Sequence, residues 1–238
     1  MSIYAIGDLH LPGHAEKPMN VFGSHWDRHF EVISEHWRRM VAPEDVVLIP
    51  GDISWAMQLE EALDDLRAIA ALPGQKLLLR GNHDYWWSSL TKLRAVLPEG
   101  MRVIQNDALK LNGHIFCGTR GWTLPTPQQA LGAQDEKIFQ REVMRLRMSL
   151  EQAKKLGEGD VTVMMHYPPL LADGLATPFT ETLEEYGVER VVYGHLHGAG
   201  IKIAFEGRRN GIDYMLTSCD ALGFQPKLIL EENVILNF

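Results

Sequence analysis

Eight residues of this 238-residue chain have side chains that bind cations or move protons, and they stand in short polar clusters. They are Asp8 and His10 in Gly7-Asp8-Leu9-His10, Asp52 in Gly51-Asp52, Asn82 and His83 in Gly81-Asn82-His83-Asp84, the single His166, and His195 and His197 in Gly194-His195-Leu196-His197. Imidazole and carboxylate without thiolate suit Mn²⁺, Fe or Zn²⁺. A structural zinc site more often uses cysteine. Eight groups exceed what one tetrahedral ion needs and are enough for two adjacent cations with positions left for water and substrate. Such cations lie roughly 3.5–4 Å apart and clamp the attacking and leaving oxygens of an in-line displacement.

The clusters need elements that bring them together, and the residues before them supply a pattern. Apolar runs precede each one: Ile3 to Ile6, Val46 to Ile49, Leu77 to Leu79, Val161 to Met165 and Val191 to Tyr193. A further run, Ile115 to Cys117, precedes Gly118-Thr119-Arg120-Gly121-Trp122. Continuous apolar runs of this length predict strands buried on both faces. Between them, Trp26, Phe30, Ile33, Trp37 and Met40 recur at helical spacing, as do Leu59, Leu63, Leu66 and Ile69, and Phe139, Val143, Leu146, Leu150 and Ala153. Alternating strand and helix predicts an α/β layered domain. Ligands of open α/β sheets bind beyond the carboxyl ends of the strands, where these clusters lie. Near the end, Ile201 to Phe205 and Ile212 to Thr217 flank Gly207-Arg208-Arg209-Asn210-Gly211 and predict a hairpin; Leu228 to Leu230 and Val234 to Leu236 suggest another, so the sheet is expected to be mixed. Thr123 to Ala133 reads as a loop. Gly7, Gly51, Gly81 and Gly194 are expected to permit sharp turns and close backbone approach.

Composition narrows the partners. With 23 Lys and Arg against 31 Asp and Glu, the net charge is −8, and no basic run offsets it. Such a surface disfavours nucleic acid and anionic lipid, while two divalent cations would cancel four of those charges locally. Cys117 and Cys219 sit in or beside apolar runs and read as buried free thiols. No secretory leader or bilayer-length apolar run is visible, so a cytoplasmic protein is expected. Oligomeric state is left open.

Taken in order, Asp8-x-His10, Gly51-Asp52, Gly81-Asn82-His83-Asp84, His166 and Gly194-His195-Leu196-His197 resemble the signature set of the calcineurin-like metallophosphoesterases, and they extend from residue 8 to residue 197. The resemblance implies a layered αββα sandwich with mixed sheets, formed as one domain over residues 1–238. It implies hydrolysis of a small phosphomonoester or phosphodiester by hydroxide activated at two divalent or trivalent ions, Mn, Fe or Zn. It implies that Asp8, His10 and His197 hold the first ion, that Asn82, His166 and His195 hold the second, and that Asp52 bridges both. His83 is left to assist the leaving group as an acid, with Asp84 fixing its tautomer.

Other residues carry less specific signals. Arg120, in a strand-end loop on the same rim, could bind a substrate phosphate bidentately, and Trp122 could wall the substrate. Arg80 suits a strand-end salt bridge. Trp55, Trp86 and Trp87 are expected to pack helix starts against the sheet. Of the remaining histidines, His14, His25 and His29 follow the first cluster; His36 and His114 suit surface or helix faces. Two other readings stand beside hydrolysis of a phosphoester. One is a catalytically silent scaffold, which the intact ligand set disfavours; the other is hydrolysis of a non-phosphorus bond.

Overall fold

The computed structural model describes residues 1–14, 19–126 and 130–231. Its strands form two sheets. In the first, β1 (Ser2–Ala5), β2 (Val46–Pro50), β3 (Gln75–Leu79) and β4 (Met101–Ile104) run parallel, and β11 (Lys227–Glu231) lies antiparallel against β1. In the second, β6 (His114–Thr119), β7 (Val161–Met165), β8 (Arg190–Tyr193) and β10 (Ile212–Leu216) run parallel. There, β5 (Ala108–Leu111) and β9 (Gly207–Arg209) close the two edges antiparallel.

Alternation along β2 shows how the layers form. Val46 and Leu48 face the second sheet, joining Ile3, Leu77, Phe116, Met164 and Val192 in a core between the sheets. Val47 and Ile49 face outward, where α1 (His29–Met40) and α2 (Leu59–Ala70) lay down Ile33, Trp37, Leu66 and Ile69. On the far side, α4 (Ala133–Lys155) and α5 (Pro178–Glu185) cover the second sheet with Phe139, Leu146, Leu150, Phe179 and Leu183. Helix, sheet, sheet, helix is the αββα sandwich, and each central strand is buried on both faces. A short helix, α3 (Leu90–Val96), packs Leu93 beside β4. No helix among the described residues is long and apolar enough to cross a membrane.

The sheets are stitched where the functional clusters begin. Gly7, just past β1, pairs in parallel with Ser218, just past β10. Its N–H donates to Thr217 O at 2.7 Å, and Cys219 N–H donates back to Gly7 O at 3.1 Å. The parallel strands of both sheets thus point their carboxyl ends at one rim.

The C-terminal hairpin differs from its sequence reading. Gly198–Ile203 forms a 3₁₀ helix, and Gly207–Arg209, read as turn, is strand β9. Asn210 (φ 48) and Gly211 (φ 85) alone make the turn. An Asn-Gly pair takes both positive-φ positions of a two-residue hairpin, so pairing resumes at once with Ile212 opposite Arg209. Strands β4 and β5 and helices α3 and α5 are short elements without a long apolar run, and α4 begins at Ala133, six residues before Phe139. Of the second C-terminal pair, Val234 to Leu236 lies outside the described residues.

Candidate metal centre

The loops after β1 and β2 run side by side. Asp8 N–H donates to Gly51 O at 2.9 Å, His10 N–H to Asp52 O at 3.0 Å and Leu11 N–H to Ile53 O at 2.9 Å. This pairing is made in unusual backbone geometry: Asp8, His10 and Asp52 have φ of 57°, 44° and 50°, and His195, after β8, has 72°. Each costs on the order of 1 kcal/mol in an L-residue, and such conformations collect at functional sites. Two glycines let the loops close. A Cβ on Gly81 would collide with Asp52 Oδ1, and one on Gly194 with Asp8 Oδ2.

Two groups of donor atoms converge there, each with its atoms within 4.8 Å of one another: Asp8, His10 and His197 in one, Asp52, His166 and His195 in the other. In the first, His197 Nε2 lies 3.2 Å from His10 Nε2 and 3.3 Å from Asp8 Oδ1. The Asp8 carboxylate also accepts from His195 N–H at 3.0 and 3.1 Å. In the second, Asn82 Oδ1 lies 2.6 Å from His166 Nε2 and 3.0 Å from His195 Nδ1. Asp52 stands between the groups, with Oδ2 3.8 Å from His10 Nε2 and 3.5 Å from His166 Nε2. Its Oδ1 accepts from His83 N–H at 2.8 Å.

Asp8, His10, Asp52 and His166 are buried, so their charge states depend on one another. Burial holds His166 below the usual imidazole range, and burial with nearby imidazoles holds His10 and His195 down at about 3. His197 goes the other way, to about 10; burial opposes this, but Asp8 and Asp220 beside it win. Burial would raise Asp8, yet His197 keeps it well below the ordinary carboxylate range. Burial and the Asp8 charge push Asp52 above that range. Burial thus favours the neutral form of His10, His166 and His195, while Asp8 and Asp220 favour the charged form of His197.

This set fits cations. It offers nitrogen and oxygen donors with no thiolate. Its histidines are mostly in the neutral form that metal binding requires. His166 Nδ1–H donates to Pro50 O at 3.0 Å, so the neutral ring turns the Nε2 lone pair toward Asn82 Oδ1. A lone pair facing a carbonyl oxygen at that separation is relieved by a cation between them.

Other residues fall around this centre. The half-buried His83 ring is 5.8 Å from the His10 ring and 4.5 Å from Trp55. Asp84 serves the loop. Oδ2 accepts from Gly81 N–H at 2.7 Å, and Oδ1 from Ile53 N–H, Ser54 N–H and the Trp86 indole at 2.8, 3.3 and 3.0 Å. With its oxygens engaged this way, Asp84 ties the loop after β3 to the loop after β2. Arg120 and Trp122 stand further out. The Arg120 guanidinium sits 4.8 Å above the Trp122 ring, which packs on Tyr167, and Tyr167 packs on His195. Arg80 forms no salt bridge among the described residues, contrary to the sequence reading; its Nε is buried without a partner, and it shares a cavity of about 90 Å³ with Arg120, Arg145 and Glu142. Trp86 and Trp87 pack as expected, bonding Asp84 and Gln105. Trp55 does not merely pack: its ring is 4.8 Å from His10 at an interplanar angle of 21°.

Sequence reading missed Asp220 and left His29 without a task. Asp220 Oδ1 accepts from His197 Nδ1–H at 2.9 Å, and Oδ2 accepts from Gly198 N–H at 2.9 Å. It follows β10 as the other clusters follow their strands, so the same signal was available. His29 lies 2.8 Å from Leu9 O, bracing the peptide between Asp8 and His10.

The calcineurin-like phosphoesterase profile matches residues 1–199. No curated protein sequence matches the chain significantly. Among solved structures, phosphopantetheinyl hydrolase from Mycobacterium tuberculosis superposes with a TM-score of 0.58 at 15% identity, covering 97% of this chain and 96% of its own. A protein of unknown function from Aquifex aeolicus gives 0.51 at 17% identity, covering 95% of each chain. These two likenesses concern the fold. The match over residues 1–199, which spans every cluster of the rim except Asp220, makes the chain a member of the calcineurin-like phosphoesterase family.

Proposed function

We propose that the chain hydrolyses a small phosphomonoester or phosphodiester with two metal ions, Mn, Fe or Zn. The observation that carries this reading is the placement of Asp52 between two converging groups of histidine and carboxylate donors. Asp8, His10 and His197 would hold one ion, Asn82, His166 and His195 the other, and Asp52 both. When bound, the ion pair supplies Lewis acidity toward phosphoryl oxygen and water.

The protein's own part is orientation and proton supply. Asp220 and the Pro50 carbonyl each take one N–H of a ligand imidazole, which fixes the ring and its tautomer. Asp84 holds the loop that presents Asn82 and His83. His83, attached to Asp52 through its main chain and flanked by Trp55, donates a proton to the departing oxygen. A phosphopantetheinyl hydrolase on the same fold is consistent with a small phosphoester substrate.

The test is reconstitution. Protein stripped with chelator and reloaded with Mn²⁺, Fe²⁺ or Zn²⁺ is assayed on aryl phosphomonoesters, aryl phosphodiesters and nucleotides. Activity should vanish on stripping and return on loading. Replacing His83 with Ala should lower the rate and leave the ion content at two. Two bound ions with no turnover of any ester would favour the silent scaffold.

A further inference from the structure

One wall of the centre opens into a cavity of about 400 Å³. His10, His83 and His197 form its inner side. Met19, Phe22, Trp26 and Trp55 line it opposite. A phosphoryl group at the centre, beside His10 and His197, would therefore project a substituent into this space.

The walls specify that substituent. Trp26 is buried and wedged edge-on against His197 and Phe224, at 5.8 and 5.3 Å between ring centroids, so it is a fixed surface. Trp55 is fixed by its stack on His10. Phe22, by contrast, is 66% exposed at the cavity. An exposed aromatic ring beside apolar walls marks a surface that is covered when a ligand arrives. Among the described residues the lining carries no Lys or Arg, and its carboxylate, Asp220, is engaged by His197 and Gly198. Arg80 and Arg120 line a separate cavity. Among the described residues the outer wall thus offers a second phosphate or carboxylate no Lys or Arg, whereas a flat uncharged group would find three aromatic surfaces there. The volume falls within the range of small-ligand pockets, roughly 300–1,000 Å³.

We propose that the substrate is a phosphoester bearing a planar, uncharged aromatic substituent, and that this substituent seats against Phe22, Trp26 and Trp55. The inference rests on the reading of the centre as a phosphoester site and specifies its substrate class.

Binding and turnover separate the two readings. With metal-loaded protein, 2-naphthylphosphonate and phenylphosphonate, which are not hydrolysed, are titrated against tryptophan fluorescence. The naphthyl compound should bind about tenfold more tightly, the order expected when one further ring leaves water. Phe22→Ala should bring the ratio to about one, while Val21→Ala, exposed and outside the lining, should leave it near ten. Turnover of 2-naphthyl and phenyl phosphate, whose leaving groups have similar acidity, should show the same preference in kcat/KM. Equal binding of the two phosphonates, or a preference that survives Phe22→Ala, overturns the proposal even if both esters are hydrolysed. Selective binding that depends on Phe22, with neither ester turned over, upholds the cavity and overturns the hydrolase reading.

Discussion

In the half of the centre formed by Asp8, His10 and His197, a buried carboxylate faces an imidazole that it keeps protonated, and Asp220 reinforces that proton from behind. In the half formed by Asn82, His166 and His195, burial favours neutral imidazoles, a main-chain carbonyl replaces the outer carboxylate, and burial beside Asp8 raises the proton affinity of the shared Asp52. The residue types are nearly the same, so the difference comes from what stands behind each ring. A cation entering either half takes over the work of a proton, but of different protons held with different strength.

The largest test removes the group that both halves share. Asp52→Asn should lower turnover by at least about 10³-fold, equivalent to ~4 kcal/mol of barrier, because neither half retains its common oxygen. Near-normal kcat in that variant would sink the two-ion arrangement. Asp220→Asn touches one half only. Affinity there should fall by about 10–100-fold, as for other partners of metal-bound imidazoles, with the second half unchanged. Stoichiometric metal titration reads both sites, and an equal loss in the two would erase the distinction.

Proton release sharpens the comparison. His197 has its affinity for a proton raised, so a cation competes with that proton at neutral pH. Affinity of the first half should therefore climb about tenfold per pH unit and level off near pH 10. Asp52 is pushed up to about 8, below His197, so its proton leaves earlier and the second half should level off at lower pH. Calorimetric titration in buffers of different ionisation heat measures this release; loading of the first half without it breaks the assigned proton balance. The smallest effect on chemistry is expected at Asp84. Asp84→Asn sets an NH₂ against N–H donors and should cost about 1–3 kcal/mol of stability by denaturant titration. A tautomer-setting role would instead shift the acidic limb of the pH–rate profile.

Much of the fold was legible because β1, β2, β3, β7 and β8 are apolar runs that end abruptly in polar clusters, and burial on both faces leaves no other pattern possible. The hairpin was misplaced because local polarity suggested a long turn, whereas Asn210-Gly211 needs only two residues. Arg80 was misread because a partner for a strand-end cation depends on a neighbouring sheet. Asp220 was missed because, although it follows β10 as the other clusters follow their strands, it stands outside the motifs that carried the resemblance and acts through His197, 23 residues away.

By itself the sequence determined which side chains could bind ions, and that they follow strands in an order resembling one family. Chemistry of this kind is carried by residue type and local pattern. Only the tertiary structure brought Asp8 together with His10 and His197, and Asp52 with His166 and His195, and decided that Asp84 braces a loop and that Trp55 joins Trp26 and Phe22 around a cavity on the centre. These are matters of distance between residues far apart in the chain, and distance is set when the two sheets pack and are joined at Gly7 and Ser218.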